Sequence, residues 1–265
     1  MSLFVLFALT AVILISCKKD TNTTPPATVN FSKVGTENAS IEGAFTDAFR
    51  QVDQTCKQHN YKSITSNPTV TIDTLAYPMN VTIDYGTYCL GPDGVVRSGK
   101  INAHLTKLYI DSGAVTTITF DNYYVNARHI TGTEIITNNG KNGLGHTVFG
   151  VVIQNGNLFS VDGTTTYNSV QQREWIAGES TLLDPTDDVY SITGTGSGTT
   201  SDGTNYTVTI TSPLVASIGC AWIESGVINI TVANYPLISI DYGTGACDNA
   251  AVVSCSGYTF NLVMP

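Results

Sequence analysis

From Thr69 onward the chain is written in a period of two. Tyr206, Val208 and Ile210 alternate with Thr207, Thr209 and Thr211; Ile228, Ile230 and Val232 alternate with Asn229 and Thr231; Ile118 and Phe120 flank Thr119. Alternation of this kind gives every strand one apolar and one threonine-rich face, the pattern of antiparallel sheets with a single wet side. Between such runs stand Asn139-Gly140, Asn155-Gly156, Asp162-Gly163 and Asp202-Gly203, which read as hairpin turns because Asn, Asp and Gly accept the positive φ of a tight reversal. The expectation is a mostly β domain formed by a large curved antiparallel sheet, a meander of hairpins, with a two-layer β-sandwich as the alternative. The spacing of the runs is not constant, so a solenoid is excluded.

Two hairpins frame this region. Residues 235–262 reach Ile240-Asp241-Tyr242-Gly243-Thr244, then Cys247 and Asp248, and residues 77–101 reach Ile83-Asp84-Tyr85-Gly86-Thr87, then Cys89 and Asp93. One helical stretch precedes them, predicted over 40–60. There Ile41, Ala44, Phe45, Ala48, Phe49, Val52 and Cys56 form a single apolar stripe at three- and four-residue spacings, with Asn38 or Ser40 as the cap. A stripe of that kind packs on a sheet. Residues 31–265 therefore read as a single all-β domain with an N-terminal helix.

Charged residues make up 12% of the chain, against roughly a quarter in ordinary soluble proteins, and the 12 basic and 21 acidic residues leave a net charge of −9. No basic cluster occurs beyond Lys18-Lys19, so nucleic acid is excluded as a partner. Residues 3–15 are uncharged and apolar, too short for the roughly 20 residues that span a bilayer and of the length of a signal-peptide core. The next residues, Leu14-Ile15-Ser16-Cys17, resemble the lipobox of bacterial lipoproteins. That resemblance implies a signal peptide over 1–16, fatty acylation of Cys17, and a membrane partner held through the lipid anchor. Lys18 after the Cys favours the outer membrane. Residues 17–30, with Pro25-Pro26 among Thr, Asn and Ala, read as an extended tether.

The helix, Thr71-Ile72-Asp73, the two hairpins and Cys220-Ala221-Trp222-Ile223 together resemble a group of uncharacterised Bacteroidetes lipoproteins over most of 40–262. The resemblance implies no activity. Within it, Asp73-Thr74-Leu75 resembles an O-glycosylation acceptor, with Thr74 as the modified residue in a strand position.

Setting Cys17 aside leaves Cys56, Cys89, Cys220, Cys247 and Cys255, an odd number in an exported domain. Cys220 with Cys247 is the favoured disulfide, since strands around 222–232 and 237–241 are a plausible adjacent pair whose far ends lie close. Cys56 with Cys89 is the second choice, and buried reduced thiols are the alternative. No metal site or cofactor is expected: no Cys-x-x-Cys occurs, His59, His104, His129 and His146 lack ligand spacing, and no Asp-Gly continues as a calcium loop. Gly196-Ser197-Gly198 lies in a β run without the strand-to-helix context of a serine nucleophile. Asp84 and Asp241 can act as an acid–base pair for glycoside cleavage only if they face each other, and Asp before a Gly turn more simply fixes the turn. Asp187-Asp188 reads as a solvated loop or a strand entrance. Tyr123, Tyr124, Tyr167, Trp175, Tyr190 and Trp222 suit core packing or, where exposed, sugar stacking. The expected function is a lipid-anchored cell-envelope protein with a binding, adhesive or structural role and no catalysis, its partner a glycan or another envelope protein. The alternatives are a carrier of an apolar ligand in a curved-sheet cavity and a glycan-active enzyme.

Overall fold

A computed structural model describes residues 29–58, 68–182 and 184–264. One helix, α1 (Phe31–Gln58), is followed by a single antiparallel sheet. Its first strands are β1 (Thr69–Ile72), β2 (Met79–Asp84), β3 (Cys89–Leu90), β4 (Val96–Leu105) and β5 (Val115–Val125). The long central strands are β6 (Arg128–Lys141), β7 (Thr147–Ser160), β8 (Gly163–Ala177), β9 (Val189–Thr199) and β10 (Asn205–Ser217). Four shorter ones complete it: β11 (Ser225–Val232), β12 (Ile238–Thr244), β13 (Ala250–Cys255) and β14 (Tyr258–Val263). All 14 strands follow chain order across the sheet, apart from β3, which pairs beside β2 on β4. The sheet does not close, and it is the large curved meander with one packed helix that the alternation predicts, not a sandwich.

The helix begins nine residues before the predicted 40. Asn30 is its cap: Oδ1 accepts from the Lys33 backbone N–H (3.2 Å) and from the Ser32 hydroxyl (2.7 Å). Asn38 and Ser40, read as caps, lie inside it, and Ser40 donates back to the Thr36 carbonyl at 2.7 Å. Tertiary packing overrides the weak local propensity of this first stretch. Val34 is fully buried, and Gly35 sits so close to Val253 of β13 that a Cβ would come within 2.8 Å of a valine methyl.

Two of the four predicted reversals are bulges. Asn155 has φ +51° and Gly156 is in mid-strand, pressed on the Phe45 ring of α1, where the β7–β8 register shifts. Gly140 (φ +79°) marks a shift between β6 and β7, and the chain turns only at 142–146. A bulge needs the same positive φ as a tight turn and bends the strand, so the Asn-Gly pairs help curl the sheet round the helix. Asp162-Gly163 and Asp202-Gly203 do stand at reversals. In β9, Gly196 and Gly198 lie under the rings of Tyr167 and Tyr206, with 2.7 Å and 2.5 Å from a hypothetical Cβ to each hydroxyl, so glycine here admits two tyrosines to the interior.

Cys220 and Cys247 form a disulfide, Cα atoms 5.7 Å apart, tying the loop before β11 to the loop after β12, which are neighbouring strands. Cys56 and Cys89 are not joined. Both are buried free thiols in separate surroundings, Cys56 near Tyr109 and Cys89 near Tyr85, and Cys255 is a third. Burial holds the Cys56 thiol well above its usual range. Closing a loop of 27 residues removes denatured-chain entropy worth roughly 3 kcal/mol. Cys220→Ala and Cys247→Ala should therefore each lower stability by about that amount in a urea titration, and the double variant by little more. Additive losses would show that the two sulfurs contribute separately.

Candidate functional site

The helix carries charge on faces that the sheet covers. At its centre Asp47 is buried between two arginines. Arg97 of β4 donates through Nε (2.9 Å) and Nη2, Arg50 donates at 2.7 Å, and the Tyr123 hydroxyl of β5 donates at 3.1 Å. Arg97 also pairs with Asp93 (2.6 Å), and Arg50 donates to the Cys220 carbonyl, so this cluster reaches the disulfide loop. Burial raises the Asp47 carboxyl, but Arg97 and then Arg50 outweigh it and hold the group well below the usual carboxylate range. Two carboxylates facing two guanidiniums leave the cluster neutral.

Nearer the C-terminus of α1, Lys57 is fully enclosed. Its Nζ lies 3.0 Å from Asp53, 2.9 Å from Asp188 and 2.6 Å from the Tyr190 hydroxyl, and 3.4 Å from the centre of the Trp175 ring. Asp188 stands at the entrance to β9, the second of the two places expected for it, and it is buried, not solvated, accepting also from Trp175 Nε1 at 2.9 Å. Toward the N-terminus, Glu42 accepts from the Tyr167 hydroxyl (2.5 Å) and Gln171 Nε2 (2.8 Å) of β8. Glu134 of β6 is wholly buried with neither carboxylate oxygen hydrogen-bonded among the described residues.

One face of α1 escapes this covering. Thr36, Gly43, Gln51 and Gln54 are only partly buried, and two openings lie along their line. The larger, ≈ 460 Å³, has a mixed lining in which Gln51, Thr55, Asp93 and Arg97 stand beside Val70 and Ile83. The smaller lies over Ala39, Gly43 and Ala44. Around it stand Val95, Val125 and Leu158, Trp222 and Ile223 from the loop before β11, and Met264 just beyond β14. The Asp47–Arg97 cluster stands between the two openings.

Of the residues singled out in the sequence, Tyr123, Tyr167, Trp175 and Tyr190 are core, ringing the helix. Tyr124 is 37% exposed and stacks on His129, which stacks on Phe159. Asp84 and Asp241 do not form a pair: each accepts from the backbone N–H of the glycine two residues on, Gly86 at 2.8 Å and Gly243 at 2.9 Å. The matched tyrosines beside them, Tyr85 and Tyr242, are buried, and Tyr85 donates to Gln51 of the helix at 2.9 Å. Thr74 is in an exposed loop between β1 and β2, not in a strand. Cys17 lies outside the described residues. No group of His, Cys, Asp and Glu that could hold a metal ion occurs among the described residues, and no helix there is long and apolar enough to cross a membrane. The buried charges of α1 escaped the sequence reading because one apolar stripe implies a solvated opposite face. The opposite-charge spacings Asp47–Arg50 and Asp53–Lys57 were the available signal.

Glu134 offers a direct test of this interior. Burial pushes its carboxyl up to about 8, against a smaller opposing pull from Arg173. Between pH 4.5, where the group titrates in an unfolded chain, and pH 8, the folded protein keeps a proton that the unfolded chain has released. The stability this contributes is complete below that window and is lost as the pH rises through 8. Glu134→Gln should remove the loss, raising stability at pH 8.5 by roughly a few kcal/mol over the parent while the two converge near pH 4.5. Parallel urea curves at every pH would show that Glu134 is ionised and paired instead.

No protein-family model, curated protein or solved structure matches this chain, so its function rests on its own residues.

Proposed function

We propose that this chain is a lipid-anchored protein of the outer membrane that acts by binding, not by catalysis. Acylation at Cys17, after the run Leu14-Ile15-Ser16, would hold it at the bilayer, and residues 18–30 would space the domain from the surface. The observation that carries the non-catalytic reading is the use made of the charged side chains. Asp47, Arg50, Asp93 and Arg97 neutralise one another, and Lys57 is held between Asp53 and Asp188, each set clamping helix to sheet. Carboxylates so engaged are poor general bases, and Asp84 and Asp241 are committed to their own turns. What remains free for a partner is the uncovered face of α1.

Cys17→Ala should move the protein from the membrane fraction to the soluble fraction and abolish labelling by a fatty-acid analogue. Fractionation that does not change would sink the anchor. O-glycosylation at Thr74 belongs to the same proposal and is supported by the exposure of that loop, where Leu75 is 79% exposed. Mass spectrometry of the protein from its native envelope should find a glycan on the peptide carrying Thr74 that Thr74→Ala removes, and bare Thr74 would end that part of the reading.

A further inference from the structure

The smaller opening over α1 is built like a binding site. Its floor is made of small side chains, Ala39, Gly43 and Ala44, and a Cβ placed on Gly43 would touch nothing within 4 Å. Around it stand Val95, Val125 and Leu158 with Trp222, Ile223 and Met264. Against this apolar lining stands one charged donor without a partner among the described residues: the side chain of Arg128, half-buried in the same lining, makes no ion pair or hydrogen bond, and Asp162 acts on it only at longer range. The acceptors nearby are taken: Asp47 by Arg97, Arg50 and Tyr123, and Asn126 Oδ1 by the Val96 N–H at 3.1 Å.

A half-buried guanidinium without a carboxylate favours an anion, and apolar walls favour a hydrocarbon tail. We infer that this opening binds a small aliphatic carboxylate, its carboxylate on Arg128 and its chain over Gly43. Size limits the chain. The enclosed part of the cavity is ≈ 40 Å³, room for about three water-sized groups, so it takes only the end of a short chain, the rest lying in the open mouth. This deepens the binding role proposed above and is independent of the anchor, since Cys17→Ala leaves the opening intact.

Hexanoate is the probe, with hexanol and hexylammonium as the neutral and cationic counterparts. Calorimetry on the folded protein, with tryptophan emission as a second readout, should show saturable hexanoate binding with Kd on the order of 0.1–1 mM, as expected for so few atoms. Hexanol should bind roughly tenfold or more weakly, and hexylammonium should not bind. Arg128→Gln should weaken hexanoate by roughly 10- to 100-fold, the worth of a hydrogen bond to a charged group. Gly43→Leu should abolish binding by filling the floor while leaving the melting temperature equal or higher, because leucine replaces glycine inside a helix. The proposal falls if hexanoate does not saturate by about 20 mM, if hexanol binds as tightly as hexanoate, or if folded Gly43→Leu retains parent affinity. An anchor failure would appear only in fractionation and leave these titrations unchanged.

Discussion

A helix that buries its charges can be stable only if a single arrangement of the sheet satisfies them. Removing a carboxylate or an amine from water costs several kcal/mol per ion, and the cost is offset only where partners sit at hydrogen-bond distance. Asp47 finds partners on α1, β4 and β5, and Lys57 finds them on α1, at Asp188 before β9 and at Tyr190 within β9. Strands far apart in sequence are thereby fixed against one rod. Such pairs add little net stability compared with apolar packing, yet loss of one partner strands a buried charge. Their main effect in this fold is to set where along the helix each strand must stop.

The curl of the sheet follows from the same demand. Thirteen strands in line would make an open twisted sheet, and the bulges at Asn155-Gly156 and near Gly140 bend it inward. The matched hairpins lie toward opposite ends of the strand order, in β2 and β12, and each contributes one buried tyrosine, Tyr85 and Tyr242. The disulfide ties the loops beside β11 and β12 and, through the Cys220 carbonyl, meets Arg50 of the helix. Cross-link and charge cluster therefore act on the same stretch of chain.

Much of this architecture could be read from residues, for definite reasons. Alternation of apolar residues with threonine survives in β10 and β11, whose outer faces are wet, and adjacency of β11 and β12 made Cys220–Cys247 the natural pair. The reading weakens where the interior is polar. In β8 the inward residues are Thr165, Tyr167, Ser169, Gln171, Arg173 and Trp175, while Val170 points outward at 62% exposure, so hydrophobic phase alone would not assign its buried side. Asn-Gly pairs misled because turn and bulge ask for the same backbone angle. The helix start was hidden because Phe31 to Asn38 contains glycine and polar residues whose burial is decided by β13, more than 200 residues away.

The polar interior also determines where a ligand can act. Groups that neutralise one another are poor recognisers, since an incoming charge must compete with partners already in place. Along the uncovered face of α1 the lining changes from the Asp47 cluster, where every charge has a counterpart, to the stretch over Gly43, where the guanidinium of Arg128 has none. Small residues in the helix keep that stretch open. An open floor, an apolar lining and an unmatched guanidinium coincide there beside the Asp47–Arg97 pair, which pins β4 to the helix and so helps the opening keep its shape without a ligand to support it.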